Sequence, residues 1–282
     1  STPPSHGGNA GSNPAGVTKP EAGPSGPASV VVRQAVSASW TTLRRFTSSM
    51  DDSPGVTPTT RKTRLSALAA SFIGLAVVIG VFIVGLVITA TPQWSAAEVK
   101  VVAAVGAAHN PLLDALCRLV DALFGPFGAP VLGIALLAWA LLVTRTWQGA
   151  VRAGLLLAVP WVVAEAMKYV VERPRPEPSA LTHLIVPDPF TYSYPSGHTA
   201  FAAAFVCALM LSFTSRRARG TAALVGGALV LVVGWSRVYL GVHYPTDVLA
   251  AMLVVVAVAL PLSAVLTRVG PLRAPAGARV AA

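Results

Sequence analysis

Six runs of predominantly apolar residues set the pattern of this chain, at about 65–90, 129–144, 151–171, 198–214, 221–239 and 246–267. A helix crossing the hydrocarbon core of a bilayer needs roughly 20 such residues. The runs therefore predict transmembrane helices, the second and fourth short enough that their ends should extend a few residues. Within lipid, a spanning helix must satisfy its own backbone polar groups. The expected fold class is all-α, a polytopic membrane helix bundle with six transmembrane helices.

Two regions break the pattern. Between the first two runs lies "TPQWSAAEVKVVAAVGAAHNPLLDALCRLVDALFGPFG". Its apolar residues recur at helical spacing but are interrupted by Asp114, Arg118 and Asp121, which predicts amphipathic helices on the membrane surface. A seventh span there would require burying those three charges. Residues 1–60 are rich in Gly, Pro, Ser and Thr and have too little apolar surface to offset the entropy of ordering. They are expected to form a disordered tail without the apolar core of a signal peptide, with a short interfacial helix at 30–46. The expected organisation is a cytoplasmic tail over 1–60, a six-helix domain over 61–268 and a short cytoplasmic tail over 269–282.

Composition supports the membrane assignment. Hydrophobic residues make up 54% of the 282 and charged residues only 11%, against about 25% charged in an ordinary soluble domain. Cys117 and Cys207 provide no spaced framework for a structural disulfide or a zinc site. The net charge of +10 raises nucleic acid as a partner, but its distribution argues for topology instead. Thirteen Lys and Arg flank the runs on one side of a six-span arrangement, among them Arg44, Arg45, Arg145, Arg216, Arg217 and Arg268. The other side has six: Lys100, Arg118, Lys168, Arg173, Arg175 and Arg237. Positive charge marks the cytoplasmic side. Both termini are therefore expected in the cytoplasm of a multi-pass protein of the cell membrane, with no nucleic-acid partner.

The six outer cations come with chemistry. "KYVVERPRP" ends the third run, "PSGH" opens the fourth, and "SRVYLGVHYPTD" joins the fifth to the sixth. All three stretches meet at the outer face once the helices bundle. Lys168, Arg175 and Arg237 have few fixed anions beside them in sequence, which suits a bound phosphate. Ser196 is placed to cap the fourth helix, whose first N–H groups lack intrahelical partners. Gly197 lets a phosphate approach that backbone closely. Pro245 suits the first turn of the sixth helix, which puts His243 at its mouth and Asp247 four residues on. Asp247 can accept from one ring nitrogen of His243 and leave the other as a nucleophile. His198, among cations, is placed to act as a general acid.

The spacing K-x6-R-P, then P-S-G-H, then S-R-x5-H-x3-D resembles the signature of the type 2 phosphatidic acid phosphatase family. That family includes vanadium haloperoxidases and glucose-6-phosphatase. Here the signature reads Lys168…Arg175-Pro176, Pro195-Ser196-Gly197-His198 and Ser236-Arg237…His243…Asp247, with no departure at any motif position. The resemblance implies catalysis by His243, His198 and Asp247: a phosphohistidine on His243 oriented by Asp247, with His198 protonating the leaving group. It implies phosphate binding by Lys168, Arg175, Ser196, Gly197 and Arg237, and no cofactor or metal. The tail 1–60 lies outside it.

The expected function is hydrolysis of a membrane lipid phosphate or diphosphate at the outer face. Phosphatidic acid, phosphatidylglycerol phosphate and polyprenyl diphosphates are the candidate substrates. A phosphotransferase using the same intermediate is an alternative. A lipid-phosphate binding or transport protein is a second, but it has no use for His243 paired with Asp247. The wall for the lipid tail is expected from the linker 177–194 and the surface helices of 95–124. Glu165, one turn before Lys168, is expected to pair with it structurally. Glu172 and Arg173 are expected to be solvated, and His109 and His183 to be exposed or locally satisfied.

The orientation is checked by labelling. A cysteine placed at Ser179 should react with a membrane-impermeant thiol reagent from outside intact cells, and one placed at Thr214 should not. The reverse pattern would put the three clusters in the cytoplasm.

Overall fold

The computed structural model describes residues 58–180, 191–213 and 215–268. The expected tails, the helix at 30–46, His183 and most of the 177–194 linker lie outside the described residues. The chain divides into two units, Ser1–Thr60 and Arg61–Ala282. Of the first, only 58–60 are described, as the opening turn of a helix.

The described residues form eight α-helices and no strand. They are α1 Pro58–Thr89, α2 Pro92–Gly106, α3 Pro111–Phe124, α4 Gly128–Thr144, α5 Trp147–Val171, α6 Gly197–Ser212, α7 Arg216–Tyr239 and α8 Pro245–Leu266. Each of the six apolar runs falls on a helix. Ala67–Thr89 of α1, together with α5, α7 and α8, gives four stretches long and apolar enough to cross a membrane. Helices α3 and α4, bent by 61° at their break, make a fifth if taken as one span. Helix α6 is apolar but has only 16 residues. Phe72, Ile73, Leu142 and Leu224 are exposed, as side chains facing lipid should be. The protein is a multi-pass membrane helix bundle.

The shortness of α6 follows from its position. It packs against α5, α7 and α8, and Ala200, Ala202, Ala203, Ala204 and Ala208 are all buried. Small residues let neighbouring helices approach closely where dispersion and fit drive association. A helix wrapped by protein in this way need not match the thickness of the bilayer.

Two turns bring the motif residues together. Helix α5 ends at Glu172, which adopts the left-handed conformation (φ 51°) and returns its N–H to the Lys168 carbonyl. Pro174 and Pro176 then prevent a restart of the helix. The chain folds back so that the Ser193 N–H donates to the Arg173 carbonyl at 2.8 Å. Between α7 and α8, Gly241 takes a φ of 74°, a conformation that costs glycine little. This tight turn sets His243 two residues before α8.

Helices α2 and α3 rest on the bundle, α2 against α7 and α8, α3 against α4, α6 and α7. Asn110 caps α3 by accepting from the Leu113 N–H at 3.0 Å. The face of α3 turned to the bundle is not wholly apolar. Asp114 accepts from the Tyr239 hydroxyl at 2.7 Å and lies within 3.0 Å of the His109 ring, so His109 is satisfied locally.

Helix α1 is held at close backbone approaches. A Cβ on Gly74 would lie 2.3 Å from the Ala257 carbonyl oxygen in α8, and one on Gly85 would lie 2.6 Å from the Tyr194 ring. The Tyr194 hydroxyl donates to the Val81 carbonyl at 2.7 Å. Gly74→Val should therefore cost about 1–3 kcal/mol, the usual range for overpacking, and lower the midpoint of thermal unfolding in detergent. Gly80→Val is the control, because a Cβ there meets nothing within 4 Å. Equal losses at both positions would remove the packing explanation.

Candidate active site

His243 is buried in the α7–α8 turn. Its Nδ1 lies 3.4 Å from Asp247 Oδ2, and its Nε2 is 3.2 Å from Arg175 Nη1. With Nδ1 turned to the carboxylate, Nε2 keeps its lone pair and accepts from the guanidinium. Burial pushes the imidazole pKa well below its ordinary value, and the charges of Arg175 and Lys168 push it the same way. The ring is thus neutral at neutral pH, as a nitrogen nucleophile must be.

Asp247 is fixed from several directions. Its Oδ2 also accepts from the Tyr244 N–H at 2.8 Å and from the Ser193 hydroxyl, while Oδ1 accepts from Arg173 at 2.7 Å. This corrects the expectation that Arg173 is solvated: it is 0% exposed. Its other Nη meets Glu98 of α2 at 2.7 Å and Ser95 at 3.1 Å. Its guanidinium stacks 3.9 Å from the centroid of the Tyr244 ring. Glu98 in turn accepts from the N–H and the hydroxyl of Thr246, at 2.9 and 2.8 Å. Each charge in this group is compensated by another, and removing one member of such a buried set typically costs about 3–5 kcal/mol.

Two of the motif cations, Lys168 and Arg237, each have a carboxylate partner, against their expected shortage of anions. Lys168, 6% exposed, lies 3.3 Å from Glu165, the i,i+3 pairing expected from the spacing. Arg237, 1% exposed, donates to Asp121 of α3 and, at 3.2 Å, to Ser236. Arg175 donates to the carbonyls of Thr191 and Val242 at 2.7 and 2.6 Å.

At the start of α6 the Ser196 hydroxyl makes no bond to the helix N–H groups. Instead it accepts from Thr199 at 3.0 Å, and the Ser196 N–H donates to the Asp247 carbonyl at 3.0 Å. A Cβ on Gly197 would lie 2.3 Å from Glu165 Oε1 and 2.9 Å from Lys168 Nζ. The glycine is therefore needed by the neighbouring ion pair, besides leaving the backbone open. His198 Nε2 is buried without an aligned hydrogen bond, though Asp121 Oδ1 is 3.2 Å away.

These groups meet at a cavity of about 770 Å³. Of the eight candidate residues, Lys168, Arg175, Gly197, His198, Arg237 and His243 line it, while Ser196 and Asp247 stand behind. The remaining wall is apolar and comes from Ala129, Pro130, Leu157, Trp161 and Phe201, with Phe124. The tail wall was expected from 177–194 and 95–124. Among the described residues those segments contribute Thr191, Asp121 and Phe124, and most of the apolar surface belongs to α4 and α5. Asp121, Glu165, Glu98 and Arg173 are the functional neighbours that the motif did not specify.

Comparison with known proteins agrees with this geometry. Residues 149–270, from α5 onward, match the model of the PAP2 superfamily. An undecaprenyl-diphosphatase of Sulfolobus acidocaldarius is 37% identical over 108 residues, covering 36% of this chain and 48% of the relative. Phosphatidylglycerophosphatase B of Bacillus subtilis is 33% identical over 111 residues, covering 37% and 51%. The chain thus spans about half the length of these curated relatives. The crystal structure of a transmembrane PAP2 type phosphatidylglycerolphosphate phosphatase from Bacillus subtilis has the same fold. Its TM-score is 0.58 at 21% identity, covering 68% of this chain and 94% of that one. Its three motifs thus lie in order around one cavity, and over residues 149–270 the chain resembles the PAP2 superfamily.

Proposed function

We propose that this chain is an integral membrane phosphatase that hydrolyses a lipid phosphate or diphosphate through a phosphohistidine. The observation that carries the proposal is the composition of the cavity, which is lined by His243, His198 and three cations and also by an apolar wall. A free sugar phosphate would have no use for that wall, whereas an acyl or prenyl chain is stabilised by it. The relatives named for undecaprenyl diphosphate and phosphatidylglycerophosphate support phosphatidic acid, phosphatidylglycerol phosphate and polyprenyl diphosphates as the substrate class.

In this mechanism Lys168, Arg175 and Arg237 bind the phosphate oxygens, joined by the backbone at Ser196 and Gly197. Nε2 of His243 attacks phosphorus, and the bond between phosphorus and the leaving oxygen breaks. Asp247 accepts from Nδ1 and stabilises the positive charge that the ring acquires. His198 gives its proton to the leaving oxygen, then takes one from the water that attacks the phosphohistidine. Phosphate departs and His243 returns neutral. No step uses a metal ion.

The excess of Lys and Arg on the opposite side supports an extracytoplasmic active site in the cell membrane, with both termini cytoplasmic. The phosphatase domain would then be 61–268, flanked by tails at 1–60 and 269–282.

The two histidines are separable by leaving group. His243→Ala should lower turnover by several orders of magnitude on every substrate, since each needs the nucleophile. An alkyl alcohol leaves poorly without a proton, while nitrophenolate leaves unaided. His198→Ala should therefore lose about 10²–10⁴-fold on phosphatidic acid, the worth of a positioned general acid. It should lose much less on p-nitrophenyl phosphate. The check is kcat/KM for both variants on both substrates. Equal losses for His198→Ala would make it a phosphate ligand, and phosphate release by His243→Ala at the wild-type rate would end the proposal.

A further inference from the structure

Asp121 stands where the proposed mechanism needs substrate. One carboxylate oxygen, Oδ1, meets Arg237 Nη1 and lies 3.2 Å from His198 Nε2. Those are the cation that would hold the phosphoryl group and the imidazole that would protonate its leaving oxygen. An anion entering between them must share the position with a carboxylate or displace it.

The burial of the three partners shows which of them can give way. The side chain of Arg237 is 1% exposed and also donates to Ser236, so it stays in place. The side chain of Asp121 is 37% exposed and lines the cavity. His198 Nε2 has no aligned hydrogen bond to it. The carboxylate is thus bound through Arg237 and is the member that can swing aside. Helix α3, which carries it, lies outside the stretch that matches the superfamily model.

We propose that Asp121 competes with phosphate for Arg237: its carboxylate holds the anion position, so that phosphate alone binds weakly and phosphate carried on an apolar chain displaces it with the help of the chain. The proposal rests on the phosphatase mechanism for the roles of Arg237 and His198. A phosphate dianion that enters alone meets a like charge in a poorly solvated site, or must break the Asp121–Arg237 pair, and either weakens its binding. A lipid phosphate meets the same cost but also buries its chain against Phe124, Leu157, Trp161 and Phe201, which offsets it. Free phosphate, which is also the product, therefore binds weakly and leaves, whereas the contact of an apolar chain makes up the cost.

The test is titration of inorganic phosphate into the purified full-length protein in detergent, followed by calorimetry, for wild type and Asp121→Asn. The amide keeps the shape and removes the charge. Phosphate should bind the variant about tenfold or more tightly, the scale of relieving a like-charge contact. The inhibition constant of inorganic phosphate against lipid phosphate hydrolysis should fall by a similar factor. Asp121→Ala should change both quantities in the same direction, which guards against a folding defect in either variant. Unchanged or weaker phosphate binding in both variants would overturn the proposal, because a residue that merely orients Arg237 predicts weaker binding. Calorimetry does not depend on turnover, so the two claims fail separately. Tighter phosphate binding in a protein that hydrolyses no lipid phosphate would sink the phosphatase mechanism alone. His243-dependent hydrolysis with unchanged phosphate affinity would sink the role of Asp121 alone.

Discussion

Arg173 lies between Asp247 and Glu98, 2.7 Å from each and sealed from solvent, and the site is organised by the rule this contact obeys. A charge taken out of water is tolerated only where an opposite charge and hydrogen bonds replace the solvent. Lys168 and Arg237 are nearly as buried and answer to the same rule through Glu165 and Asp121. The cations come from α5, α7 and the segment after α5. Two of the carboxylates, Glu98 and Asp121, come from the surface helices α2 and α3. Those helices therefore dock by charge as well as by apolar contact, and they complete a site whose motif residues all lie elsewhere.

This pairing also explains the geometry of the histidine dyad. Asp247 receives Arg173, Ser193 and the Tyr244 N–H in addition to His243. The contact to His243 is 3.4 Å. The carboxylate is held by its other partners, and the imidazole is positioned against it. A fixed carboxylate of this kind can stabilise the charge that develops on His243 without moving to do so.

The helices and motif residues were legible in the sequence because both are local signals. Apolar runs near the length of a span mark helices, and three short clusters with fixed internal spacing mark the phosphate end. The partners of those residues were not legible, because they are remote. Asp121 reaches Arg237 across 116 positions and Glu98 reaches Arg173 across 75. Read locally, Asp121 is one more charge on an amphipathic helix, and Arg173 is a cation at a helix end, where solvation is the usual fate. One signal was present and went unused. Asp114 and Asp121 are seven residues apart, on one face of α3. That face meets α7 at Tyr239 and Arg237. Acids repeated at that interval on one face of an amphipathic helix point to polar partners on the surface it packs against. The share of the apolar wall that comes from α4 and α5 was not legible for a similar reason. The α4–α5 surface reads in sequence only as two transmembrane helices, and its concavity depends on how they pack.

The match to the superfamily covers α5 to α8 and leaves out the first four helices. Those helices nevertheless supply Glu98, Asp121 and much of the apolar wall around Ala129 and Pro130. The division between the two halves is not one of task. The matched half carries the residues proposed as nucleophile, acid and phosphate cations, and also Leu157, Trp161 and Phe201 of the apolar wall. The unmatched half adds Ala129 and Pro130 to that wall, Asp121 beside Arg237, and Glu98, which reaches Asp247 through Arg173. Changes at Ala129 or Pro130 in α4 would reshape that wall, whereas the partners that hold His243 and Asp247, namely Arg175, Arg173, Ser193 and the Tyr244 N–H, all follow α5.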